Sequence, residues 1–128
     1  MLSVHSANEI RVFGFIENIA ELMQLADLLI TKPGPGTLNE AIAAKIPVFV
    51  DNTSHTLYWE KINIDMVCRL GIGEKIEELS ILDTLIPRYL RDDETKKKIA
   101  HAYSLLPKNS FHKEIEMIIE SMWKEPNF

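Results

Sequence analysis

Apolar and polar residues fall into short blocks whose spacing changes along the chain. From Arg11 to Phe15 the alternation is loose and rich in Val and Phe, which predicts a strand ending at Gly14. Ile16, Ile19, Ala20, Met23 and Ala26 recur at helical spacing and predict a helix over Glu17 to Ala26. Ala26 to Ile30 is apolar apart from Asp27, and Leu28 to Thr31 reads as the next strand. A helix over Thr37 to Lys45 has to stop before Pro47, because the residue ahead of a proline is pushed out of helical geometry. Pro47 to Val50 is wholly apolar, as a strand covered on both faces is. A polar loop, Asp51 to Thr56, leads to a helix over Leu57 to Leu70, with Tyr58, Ile62, Met66 and Leu70 roughly in line. Gly71 and Gly73 bracket a final strand or turn. Beyond it the pattern is helical over Ser80 to Leu90 and Asp93 to Leu106. A last helix opens at Ser110 or Phe111, with Ile115, Ile118, Ile119 and Met122 on the side expected to dock on the core.

Alternating strands and helices imply an α/β fold: a parallel sheet with helices on both faces. The expected organisation is one domain over 1–128, with an α/β core over about 9–73 and a helical tail over 74–128. Ligands in such sheets bind beyond the carboxyl ends of the strands. The turns at Phe15, Lys32 to Gly36 and Asp51 to His55 are expected on that rim.

The densest chemistry lies in Thr31 to Glu40, T-K-P-G-P-G-T-L-N-E, between a predicted strand and a predicted helix. The first N–H groups of a helix have no internal partner and sit at the positive end of its dipole, so such a turn suits a phosphate. Gly34 and Gly36 carry no Cβ and let a ligand come close. The same residues fit a plain helix start, in which Thr37 caps the helix and Glu40 reaches back to the Thr37 N–H. A dinucleotide fingerprint is excluded, because Asn39 stands where its third glycine falls. A Walker A loop is excluded as well, since no Gly-Lys-Ser/Thr follows.

Composition narrows the partners. The 128 residues are 46% apolar and 26% charged, with 14 basic and 19 acidic side chains and a net charge of −5. Without a basic stripe, nucleic acid is not an expected partner. No apolar run approaches the ~20 residues that span a bilayer. Cys68 is the sole cysteine, expected as a small buried hydrophobe. Tyr58, Trp59 and Trp123 read as packing residues. His5, His101 and His112 lack ligand-spaced partners, so no metal is expected.

The run from Gly14 to Pro47, G-F-I-x-x-I-A-E-L-M-x-x-A-D-L-L-I-T-K-P-G-P-G-T-L-N-E-A-I-A-A-K-I-P, resembles the nucleotide-sugar half of glycosyltransferase family 28. The likeness continues through Glu60-Lys61-Ile62-Asn63 to Gly71-Ile72-Gly73. It is nearest to the diacylglycerol sugar transferases of the monogalactosyldiacylglycerol synthase type, and more distant from the peptidoglycan lipid GlcNAc transferase. The resemblance implies a Rossmann-like sheet, the C-terminal domain of a GT-B fold, lacking its opening strand and helix. It also implies a cytoplasmic protein, peripheral on the membrane face through a partner domain, that uses no cofactor.

The resemblance implies roles as well. Gly34, Pro35, Gly36 and Thr37 would hold the donor diphosphate of a UDP-sugar. Glu40 would bind the ribose hydroxyls, since an ionised carboxylate only accepts. Phe15 and Ile16 would pack the uracil. Glu60 and Asn63 would face the transferred sugar, with Trp59 standing where the family has glutamine. His55 is a further candidate near the phosphates. No catalytic base is expected in this chain; in the resembling enzymes the N-terminal domain receives the lipid acceptor and supplies it. A missing domain or partner subunit, or a homodimer, would then cover an open sheet edge. The other readings are a non-catalytic nucleotide-binding or interaction module and a UDP-sugar epimerase on the same fold.

Overall fold

The computed structural model describes residues 9–107 and 117–121. Three parallel strands, β1 (Leu29–Thr31), β2 (Val48–Asp51) and β3 (Gly73–Ile76), lie in the order β1-β2-β3. Over residues 9–107 five helices accompany them: α1 (Ile19–Leu25), α2 (Pro35–Ala44), α3 (Tyr58–Leu70), α4 (Leu82–Arg91, entered through a 3-10 turn at Leu79–Ile81) and α5 (Asp93–Ser104). Leu29 pairs with Val48 and Val48 with Gly73, so the three strands run in step. The α/β parallel sheet expected from the alternation is present, and every turn that follows a strand lies on one carboxyl rim.

The central strand explains the layering. Val48, Phe49 and Val50 are all fully buried, although neighbouring side chains on a strand point to opposite faces. Both faces of β2 are therefore covered. With the right-handed crossovers that parallel strands adopt, α2 and α3 lie on one face. On the other, the Tyr89 ring of α4 meets Phe49 edge-on at 4.8 Å and 86°. Leu38 and Ala41 from α2, Ile64 and Val67 from α3, and Ile99 and Tyr103 from α5 complete the core. Each large apolar side chain buried here contributes roughly 1.5–3 kcal/mol. The helices after β3 are thus part of the same core.

Polar contacts tie the last helices down. The Tyr103 hydroxyl donates to the Ile46 carbonyl, just ahead of β2. On β3, the Glu74 carboxylate accepts from Arg88 at 2.7 Å and from the Tyr89 hydroxyl at 3.1 Å. Burial, together with that carboxylate, pushes the Tyr89 phenol up to about 12, and burial alone does the same to Tyr103. Asp92 caps α5 by accepting from the Thr95 N–H at 2.9 Å and its hydroxyl at 2.6 Å.

Several expectations are corrected. Arg11 to Phe15 forms no strand. A strand needs a neighbour for its N–H and C=O groups, and residues 9–15 pair with none of the three strands and are all exposed. The helix before β1 is shorter than expected, and Met23 is its one buried residue. On α3 the buried residues are Ile64 and Val67, not Tyr58 and Ile62, which are exposed. Trp59 is exposed as well, so neither it nor Tyr58 packs in the core. Cys68 is exposed, because α3 turns that position outward. Thr37 does not cap α2: the cap is Gly34, with Pro35 in the first turn. Of the expected last helix, residues 117–121 are helical, and Ile118 and Ile119 are exposed there rather than docked. Ile115, Met122 and Trp123 lie outside the described residues.

Gly73 shows how tightly β2 and β3 meet. A Cβ there would lie 1.7 Å from the Val48 carbonyl oxygen and 2.6 Å from its carbon, both backbone atoms that cannot swing aside. Gly73→Ala is expected to cost about 3 kcal/mol or more, in the range of strained core substitutions. A lowered urea midpoint measures it, and an unchanged midpoint would contradict the packing described.

Candidate anion site at the carboxyl rim

The site grows from the turn between β1 and α2. Pro33 is fully buried, which anchors the turn in the core. Gly34 donates its N–H to the Lys32 carbonyl at 2.8 Å, and the Gly34 carbonyl accepts the Leu38 N–H at 3.2 Å. Pro35 has no N–H to offer. Of the donors usually left over at a helix start, Gly36 and Thr37 remain, and neither N–H has a partner among the described residues. The Thr37 hydroxyl is likewise uncommitted.

The space above this turn is open. A Cβ built on Gly34 or on Gly36 would meet nothing within 4 Å. Gly34 has φ −73 and ψ 133, a conformation open to any residue. The fold itself therefore demands glycine at neither position, and a side chain at either would meet open space.

Glu40 follows Thr37 by three residues, so both lie on one face of α2. Glu40 is exposed and makes no bond to the Thr37 N–H, so the expected capping box is absent. The α3 residues reach the turn differently from one another. The Asn63 carboxamide donates to the Pro33 carbonyl at 2.9 Å, joining α3 to the turn. The Glu60 carboxylate accepts the Leu57 N–H at 2.9 Å and so steadies the start of its own helix. His55 lies exposed in the loop after β2, Phe15 is 96% exposed, and Ile16 is half-buried. The geometry thus joins Gly34 to Thr37, Glu40 and Asn63 in one neighbourhood. It brings neither Phe15 nor His55 into a contact with that group.

One pair was missed by the sequence reading. Lys32 and Asp51 stand just past β1 and at the end of β2, and their charges meet at 2.5 Å on the rim beside the turn. Asp51 also accepts from the Thr53 N–H at 2.9 Å and the Thr53 hydroxyl at 2.7 Å. The hydrogen bond from Lys32, then those from Thr53, hold the Asp51 carboxyl far below its usual 3.8. The available signal was opposite charges closing two adjacent apolar runs.

The profile of the glycosyltransferase family 28 C-terminal domain matches residues 2–115. A processive diacylglycerol beta-glucosyltransferase of Bacillus mycoides (strain KBAB4) is 36% identical over 74 residues, 53% of this chain and 19% of the relative. The protein of the same name from Bacillus thuringiensis (strain Al Hakam) is 27% identical over 124 residues, 92% of this chain and 30% of the relative. The chain thus spans under a third of the length of these relatives. A crystal structure described as the glycotransferase of kitacinnamycin superposes with a TM-score of 0.59 at 17% identity, over 78% of this chain and 28% of that one. At that identity the likeness is one of fold. Among the described residues no helix is long and apolar enough to cross a membrane.

The Asp51 cluster predicts a pH dependence. Its depressed carboxyl contributes stability that is complete above the ordinary value near 3.8 and is lost as the pH falls below it. Asp51→Asn is therefore expected to unfold at lower urea than the native chain at about pH 7, and the gap between the two midpoints is expected to narrow steadily as the pH falls below about 4. Parallel midpoints across that range would remove the ion pair from the account.

Proposed function

The chain belongs to the glycosyltransferase family 28 C-terminal domain family, and from that premise we propose that it is the donor-binding half of a sugar transferase. The donor is a UDP-sugar carrying a hexose or an N-acetylhexosamine, and the acceptor is lipid-type. An N-terminal acceptor domain, in cis or in trans, completes the enzyme and brings the chain to the cytoplasmic face of a membrane. The observation that carries this reading is the pair of N–H groups on Gly36 and Thr37 that have no partner among the described residues, in a turn whose two glycines border open space.

In this reading, Gly34 to Thr37 hold the donor diphosphate, with Gly36 and Thr37 donating. Glu40 takes the ribose hydroxyls, a fitting role for an exposed carboxylate on the same helix face. Glu60 and Asn63 face the transferred sugar from α3. Phe15 and Ile16 lie toward the uracil, and His55 beyond the phosphates. Sugar transfer leaves negative charge on the departing diphosphate. Fixed N–H groups at the positive end of α2 stabilise that charge without reorganising as it forms. The acceptor hydroxyl needs a base, which this reading assigns to the N-terminal domain. Exposed apolar residues at Ile10, Val12, Phe13 and Ile30, with the outer edge of β1 that pairs with no strand among the described residues, suit coverage by that domain or by a second copy of the chain.

Calorimetric titration with UDP tests the reading. Binding is expected, and Glu40→Ala is expected to weaken it about tenfold, near 1.4 kcal/mol, with no loss of thermal stability because Glu40 is exposed. No heat at millimolar-scale UDP would leave a non-catalytic module as the better description.

A further inference from the structure

The Pro33–Gly34 peptide unit is gripped at both ends. Its N–H, on Gly34, donates to the Lys32 carbonyl at 2.8 Å. Its carbonyl, on Pro33, accepts from the Asn63 carboxamide at 2.9 Å. A peptide group is planar, so holding both ends fixes its orientation. Gly34 is the cap of α2, and two residues beyond it the free donors begin. Gly34 is the one glycine of this segment outside α2, and glycine samples more backbone conformations than other residues, so these two bonds bear on its orientation. Among the described residues, Asn63 makes the only side-chain hydrogen bond to the backbone of this turn, and it comes from a helix thirty positions away in sequence.

The rest of Asn63 agrees with this assignment. It is half-buried on α3, one residue before the buried Ile64 and three after Glu60, so its backbone is set by core packing. The Nδ2 group is committed to Pro33, while Oδ1 keeps an open acceptor. A side chain placed only to meet a sugar would not need its amide spent on the backbone of another element.

We propose that Asn63 is the positioning residue of the donor turn: by holding the Pro33 carbonyl it aims the Gly36 and Thr37 N–H groups at the diphosphate. This rests on the donor reading above and assigns Asn63 a task beyond facing the sugar. It also couples two subsites. The helix that carries Glu60 is the helix that braces the turn, so both subsites are built on α3.

The test compares UDP with uridine, neither of which carries the transferred sugar. Asn63→Leu preserves approximate volume and brings no charge, but it cannot donate. Calorimetry on the full chain is expected to show UDP weakened about tenfold and uridine within about twofold of the native value, a selective loss of the diphosphate share. Asn63→Ser, smaller and milder, is expected to give the same selectivity and serves if the leucine variant does not fold. Unchanged UDP affinity would show that Asn63 touches only the sugar and would overturn the proposal. Equal weakening of UDP and uridine would overturn it too, since general loosening of the fold spares neither ligand. A native chain that binds neither compound defeats the donor reading itself, an outcome visible before any variant is made.

Discussion

Burial of β2 on both faces and along both edges is the constraint from which the remaining structure follows. A strand so placed has no freedom of register, because sliding by one residue would exchange Phe49 with Val48 and Val50 across the sheet. Its neighbours inherit that precision. β1 and β3 end level with it, so the turns that follow them reach the same rim. Gly73 meets the Val48 backbone so closely that no larger residue fits. The charged and hydrogen-bonding groups that follow the strands are therefore gathered on one rim.

On that rim two opposite needs are met side by side. A turn that cradles a phosphate has to be narrow and free of side chains, which favours glycine, while a turn that stabilises charge has to hold still. Glycine serves the first and works against the second. Rigidity comes from its other contacts: the buried ring of Pro33, the carboxamide of Asn63, and the contact of Lys32 with Asp51.

Much of this was readable in the residues. The wholly apolar Pro47 to Val50 run announced a doubly covered strand, and T-K-P-G-P-G-T between an apolar run and a helical pattern located the turn that joins β1 to α2. What escaped was whatever depends on partners distant in the chain. Arg11 to Phe15 has a strand's composition, but composition cannot say whether a neighbour is there to share its hydrogen bonds. The buried line of α3 was misplaced because Tyr58 and Ile62 are as apolar as Ile64 and Val67; only the direction of approach to the sheet decides between them. Thr37 looked like a cap until Pro35 proved to lie inside the helix, which moved the cap back to Gly34. The bond from Asn63 to Pro33 leaves no local trace in the sequence at all.

The outward-turned thiol of Cys68 has a practical consequence. It is the one cysteine in the chain. It sits on α3 five residues beyond Asn63, about 140° around the helix axis at 3.6 residues per turn. A maleimide-linked dye attached there would ride on the back of the brace without entering the cradle. The molecule thus carries a built-in attachment point for fluorescence, through which occupancy of the rim can be watched in real time.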